Sequence, residues 1–424
     1  MPNRPHRARA GVLAVLFSSA AAFPVTAQDV SLTFLTAEQD ATVMPVIEGF
    51  EALHPEIDVV HESIPFDSMN AAIESRVGGG DPSIDVFLVD TPRIPAMVSR
   101  GYLQSLEDMR PQVEAVTNET AMGVLQHEGE LYALPYWTST QLMFYNKDLL
   151  DAAGVAHPSA SPDERLTYEE VVEQAKQAQA AGAEYGFLLE QIDRYYQLQP
   201  LFESAGGGPG LTGEGNLTPD ITSDAWIKAG EFYRSLFEEG VAPRGVPVDQ
   251  MPSVFTSGDV AFYIGGPWNL ADFSATEGLN FGVAPVPYFE GGTPATPTDS
   301  WAVAISPQTD EPEAARLFAE YISLNPEGAL LAVANAPIPP VNEEAFGPYS
   351  EKLAATYPEV GPAVQEIMAH EVANTAVSRP RTVGYVAFEE VMNRAFSDIR
   401  NGADVRETFE AASQQLESTL SRVQ

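Results

Sequence analysis

Between residues 30 and 90 the chain alternates three strand patterns with two helix patterns, and no other feature limits its fold as much. Residues 30–36 read as a strand. Residues 42–53 carry apolar side chains at Val43, Val46, Ile47 and Phe50, the spacing of one helical face. Pro45 falls in the expected first turn, where a missing N–H costs little. Residues 57–64 read as a second strand, and residues 67–77 as a second helix capped by Asp67 and stopped by Gly78, Gly79 and Gly80. Residues 84–89, IDVFLV, are apolar throughout, as in a strand buried within a parallel sheet. This β-α-β-α-β order predicts a doubly wound α/β lobe. Ligands of such sheets sit beyond the carboxyl ends of the strands. Glu38 follows the first strand and Asp90 closes the third, so both are candidates at one edge. Gln39 and Asp40 compete with Glu38 for that place, and a capping role competes for Asp90.

Residues 131–150, LYALPYWTSTQLMFYNKDLL, read as a strand that leaves this lobe and enters another, with Trp137 at the crossing. No Gly/Ser linker separates the two sides, and a cleft between lobes is a common place for a small-molecule site. Beyond the crossing, residues 168–181 and 225–238 read as helices, with Trp226 in the core. The strand VAFYI leads into Gly265-Gly266-Pro267-Trp268, where two glycines permit close approach of backbone and ligand. Residues 281–287 read as a strand returning the chain to the first lobe, and WAVAIS at 301–306 as another, headed by Trp301. The run APIPP at 336–340 reads as a third crossing, Arg379 falls in a loop, and two helices close the chain. The expected lobes are therefore interleaved: 28–138 with 282–340, and 139–281 with 341–424. Core packing competes with a ligand role for Trp268 and Trp301, and a solvated loop charge for Arg379. The loop 205–216 contains a GxGxxG match at Gly208, Gly210 and Gly213, but no strand precedes it and Pro209 removes an N–H, which argues against a dinucleotide site.

The net charge is −38, from 22 basic residues against 60 acidic ones. That balance argues against nucleic acid and anionic membrane partners, which need Lys and Arg. Residues 1–27 read as a cleaved secretory signal: Arg4, Arg7 and Arg9, an apolar core over 11–23, and Val25-Thr26-Ala27 before the expected cleavage. Removing them leaves 19 basic and 60 acidic residues, a charge of −41. With no cysteine, neither a disulfide nor a lipid-anchor cysteine is available, and the expected location is a bacterial periplasm.

Two carboxylates (Glu38, Asp90), an arginine (Arg379) and tryptophans (Trp137, Trp268, Trp301) suit a sugar, whose C–H faces pack on aromatic rings while its hydroxyls pair with charged planar groups. No metal is expected, since the six histidines include no HxxxH or HExxH spacing, and no cofactor is expected either. There is no GxSxG elbow and no Walker A motif. Two carboxylates facing a sugar leave a glycosidase pair open. The sequons at Asn118 and Asn216 are expected to be incidental.

Five stretches, taken in order, resemble the extracellular solute-binding proteins of ABC sugar importers, in the maltose/trehalose-binding group: DVFLVD at 85–90, LPYWTSTQLMFYNKDLL at 134–150, SGDVAFYIGGPWNL at 257–270, SWAVAIS at 300–306 and SRPRTVGYVAFEEV at 378–391. The resemblance implies two α/β lobes of the type II periplasmic binding protein kind, hinged by crossing segments and closing on a sugar. It implies a monomer and delivery to permease subunits in the inner membrane, not an enzyme. By position it carries ligand contacts onto Glu38, Asp90, Trp137, Trp268, Trp301 and Arg379. Where many members have an aspartate two residues past the crossing aromatic, this chain has Ser139, on the same strand face as Trp137; that departure bears on which sugar is held. No role is carried onto Arg93. The implied function is capture of a mono- or disaccharide, an α-glucoside such as trehalose or maltose. A same-fold binder of a non-sugar solute and an exported glycosidase are the alternatives.

Overall fold

The computed structural model describes residues 30–299 and 301–423; the expected signal segment lies outside the described residues. Two mixed sheets carry the architecture. The first runs in the order Ile57–Ser63, Val30–Thr36, Val86–Asp90, Trp301–Ile305, Leu134–Pro135. Its first three strands are parallel, as the early alternation requires. Trp301–Ile305 then runs antiparallel to Val86–Asp90, which sets Trp301 opposite Asp90. The second sheet runs Phe281–Ala284, Leu142–Asn146, Val260–Gly265, Tyr185–Leu189.

The strand expected to return the chain to the first sheet does not. Phe281–Ala284 pairs along its whole length with Leu142–Asn146, so the expected boundary at 281/282 falls inside a second-sheet strand. Phe281 packs against Phe144 and Phe273 and completes that sheet's aromatic core. The helix Glu343–Thr356 likewise follows the expected boundary but keeps ties to the first side: its N-cap Asn342 donates to the carbonyls of Ser323 and Leu324 at 3.2 and 3.1 Å.

The first helix spans Asp40–Leu53, two residues longer at its start than its apolar spacing suggests. Pro45 therefore lies in the helix interior and leaves the carbonyl of Ala41 without its helical donor. Asn335 fills the gap, its Nδ2 donating to Ala41 O at 2.7 Å. The second helix begins at Phe66, one residue before the expected cap.

Three crossing segments join the sheets and bond to one another. Thr138 N donates to Pro339 O and Val341 N to Tyr136 O, at 3.0 and 3.1 Å. Thr296 and Pro297 pair in parallel with Ala376 and Val377. The Arg165 side chain, 3% exposed, and the fully buried Glu371 are joined at 2.6 Å, and the same guanidinium donates to the carbonyl of Val286 at 2.6 Å. That pins the second-sheet end of one crossing. No helix among the described residues is long and apolar enough to cross a membrane.

Candidate functional site

The carboxyl end of a first-sheet strand meets the loop ahead of the helix Tyr385–Arg400 at a charged contact. Asp90, the last residue of its strand, takes two hydrogen bonds from Arg379, at 2.6 Å from Nη2 and 3.0 Å from Nη1. Arg379 is 5% exposed. Burial disfavours its charge, but the combined effect of its neighbours, the Asp90 carboxylate first among them, holds it well above the ordinary range. Its backbone N–H donates to Asp299 at 2.8 Å, and Ser378 Oγ to the other oxygen of Asp299 at 2.9 Å. Asp299 has φ +65°, a left-handed conformation uncommon for a residue with a side chain. Burial raises its carboxyl, an effect the nearby Arg379 opposes. Arg93 joins the cluster, lying 3.7 Å from Asp90 and bonded to Glu389, which also accepts from Tyr385 at 3.0 Å.

Trp301 sits beside Asp90 across the strand pair and is 9% exposed. The ring of Phe66 meets it edge-on at 5.7 Å, and the guanidinium of Arg194 covers Phe66 at 4.7 Å. Phe66 is 46% exposed, unusual for a phenylalanine at a helix start with two partners already. Phe66 follows a first-sheet strand and Arg194 a second-sheet strand, so this stack also spans the gap.

On the second sheet, Trp268 follows Val260–Gly265 as expected. Its Nε1 donates to Glu190 at 2.7 Å, and Glu190 also accepts from Gly266 N at 3.1 Å. Burial raises the Glu190 carboxyl despite these bonds. Glu190 thus fixes the angle of the indole. Gly266 is required here, because a Cβ would lie 2.2 Å from the Trp268 ring.

Tyr196 ties these pieces together. The guanidinium of Arg379 lies over its ring at 5.1 Å, its hydroxyl pairs with Ser139 Oγ at 2.9 Å, and burial makes that hydroxyl less acidic than usual. The crossing aromatic is less open than its place in the sequence suggests. Trp137 is 2% exposed, pairs with Pro340 between crossing segments and packs on Tyr136 at 4.5 Å. Ser139 is equally buried. Glu38 lies past the end of its strand with its N–H on Thr36 Oγ1 at 2.9 Å, and burial pushes its carboxyl up to about 7. Its competitor Asp40 is turned to His61, whose other ring nitrogen meets Thr36.

The structure therefore links Asp90, Arg379 and Ser139 through Tyr196 and sets Trp301 beside Asp90. Trp268 is held by Glu190 after a second-sheet strand, Glu38 follows the first strand of the first sheet, and Trp137 is packed between crossings. Sequence reading missed Tyr196, Asp299, Glu190, Phe66 and Arg194. Only Glu190 carried a signal, as an acid directly after a strand. Chemically the site offers flat aromatic surface beside charged donors and acceptors. Asp90 has one hydrogen bond from Arg379 on each oxygen, which leaves a lone pair on each for a further donor. Among the described residues no group of three or more His, Asp or Glu is placed to hold a metal.

Residues 35–329 match the family model described as bacterial extracellular solute-binding protein. The galactooligosaccharide-binding protein of Bacillus subtilis is 25% identical over 264 residues, 60% of this chain and 59% of that protein, so the chain spans about three fifths of that relative's length. The maltodextrin-binding protein MdxE of the same organism is 28% identical over 302 residues, 68% of each chain. Among solved structures, the GacH receptor of Streptomyces glaucescens superposes with a TM-score of 0.78 at 24% identity, covering 93% of this chain and 98% of that one. Lmo0181 of Listeria monocytogenes, solved with cycloalternan, reaches 0.80 at 21% identity, covering 93% and 99%. These likenesses establish the two-lobed fold of the type II sugar-binding proteins.

Proposed function

The chain belongs to the bacterial extracellular solute-binding proteins, and from that premise we propose that it captures a mono- or disaccharide between its lobes and delivers it to an ABC permease. An α-glucoside such as trehalose or maltose is the ligand we favour. Residues 1–27 direct export, the mature monomer works in the periplasm, and it carries out no reaction on the sugar. In this reading the first sheet with its helices forms one lobe and the second sheet with the closing helices the other.

The observation that carries the proposal is the Asp90–Arg379 pair, with Trp301 across the strand pair from Asp90 and Tyr196 beneath the Arg379 guanidinium. Trp268, held by Glu190 after a second-sheet strand, offers the second indole. Indole faces take the sugar's C–H surface, and the ionic groups take its hydroxyls. Ligand contacts to both sides at once favour the closed arrangement. The relatives named for maltodextrin and galactooligosaccharide support the carbohydrate class. Calorimetric titration with trehalose, maltose, sucrose, glucosylglycerol and monosaccharides tests it. Heat from none of them, with a polyamine or quaternary ammonium binding instead, would sink the carbohydrate reading; new reducing ends on incubation with oligosaccharides would make it a glycosidase.

A further inference from the structure

The Gly-rich loop rejected above as a dinucleotide motif is one wall of a cavity of about 450 Å³. The cavity shares Arg379 with the candidate site and is not lined by Trp268, Trp301 or Glu38. Pro95 and His127 wall it from the first-sheet side; Pro209, Asn216 and Arg381 wall it from the second. The loop is held in shape from behind. Trp226 Nε1 donates to Gly207 O at 2.9 Å, Tyr195 OH to Pro209 O at 2.5 Å, and Asn216 Nδ2 to Arg381 O at 3.2 Å. Positive φ at Gly206, Gly208, Gly210, Gly213 and Gly215 explains why glycines recur there.

The lining is electrically odd for this protein. The sequence has nearly three acidic residues for each basic one, yet no carboxylate lines the cavity. Arg379 is already neutralised by Asp90. Arg381 is half-buried, donates to the carbonyl of Gln126 and has its buried Nε without a hydrogen-bond partner. No carboxylate among the described residues lies within ion-pair distance of it. A cation withdrawn from water without a counter-ion is unfavourable, and an anion in the cavity would supply one.

We propose that this cavity is a second binding site, for a small organic carboxylate of hexuronate size, held by Arg381 with His127 and Asn216. Its volume lies within the range of about 300–1,000 Å³ usual for small-molecule sites. Because Arg381 reaches Gln126 across the gap and the walls come from both sides, an anion here bridges the two lobes. Occupancy favours the closed arrangement, independently of whether the first site takes a sugar.

The test is titration calorimetry with glucuronate at fixed ionic strength, on the wild-type protein, Arg381→Gln, Arg381→Lys and Trp268→Ala. Glucose, acetate and sulfate serve as the uncharged, small-carboxylate and inorganic arms. We expect saturable glucuronate binding that survives prior saturation with a neutral sugar and survives Trp268→Ala. It should weaken about tenfold or more in Arg381→Gln, the scale of a lost charge-assisted bond, and less in Arg381→Lys. Should Arg381→Gln unfold, His127→Ala takes its place, with a weaker but still measurable loss. Unchanged glucuronate affinity in the folded variant, or loss of binding on saturation with neutral sugar, overturns the second site. Equal affinity for acetate and sulfate overturns its assignment to an organic acid of this size. The neutral-sugar titration reports separately on the first site, so failure of one reading is distinguishable from failure of the other.

Discussion

Arg379 grips Asp90 through both terminal guanidinium nitrogens, at 2.6 and 3.0 Å, and so joins the end of a first-sheet strand to the loop ahead of the helix Tyr385–Arg400. Breaking one half of a buried pair leaves the other charge uncompensated. Arg379→Gln is expected to lower stability by about 3 kcal/mol, read by urea unfolding. A double variant with Asp90→Asn should cost less than the two single changes summed, because both remove the same interaction. Strict additivity would mean the pair is not formed in solution.

Trp268 and Trp301 present the aromatic surface of the proposed carbohydrate site. Trp268→Ala and Trp301→Ala are each expected to weaken sugar binding by about 1–3 kcal/mol, measured by calorimetry on whichever sugar the screen identifies. If neither changes affinity, the ligand lies elsewhere. Glu190→Gln keeps a carbonyl acceptor for the indole N–H and should be milder than either truncation.

Phe66 separates a role in closure from one in folding. With 46% of its surface exposed, Phe66→Ala should change unfolding free energy by about 1 kcal/mol or less. It removes the bridge between Trp301 and Arg194, so sugar affinity should fall more than stability does. Parallel denaturation and binding curves check this, and equal losses in both would make Phe66 an ordinary packing residue.

Glu38 predicts a specific pH dependence. Its carboxyl titrates near 7 in the folded protein against an ordinary 4.5. Below 4.5 both states hold the proton. Between 4.5 and about 7 the folded state keeps a proton the unfolded state has lost, so this group makes stability fall as pH rises. Above about 7 the full cost remains. Glu38→Gln removes the effect, so the stability of wild type relative to the variant should decline across that window and then level off. A constant difference from pH 4 to 8 would show that the carboxyl is not buried as described.

Much of the fold was legible because its signals are local. The first strand occupies Val30–Thr36 and the helix Tyr168–Ala181 the residues its periodicity indicated, and Thr167 and Glu170 form a capping box at its start. The site was legible in part for the same reason: Asp90, Glu38 and Trp268 follow strand ends, and strand ends gather ligands in such sheets. Tyr196 escaped notice because nothing in YYQLQ distinguishes a tyrosine under an arginine from one in the core. Phe281–Ala284 reads as a strand returning to the first sheet yet pairs in the second, because an apolar strand looks the same whichever neighbour it pairs with.

By itself the sequence determined which segments are strands and helices, their alternating order, the acidic composition and the glycine pair ahead of Trp268. Tertiary structure alone decided that Arg379 meets Asp90, 289 positions away, that Trp137 is packed between crossings, and that an arginine-lined cavity lies behind the Gly-rich loop. Periodicity and capping are written in neighbouring residues. The partner of a buried charge is set by which distant segments the packed sheets bring within a few ångströms, and no local pattern encodes that.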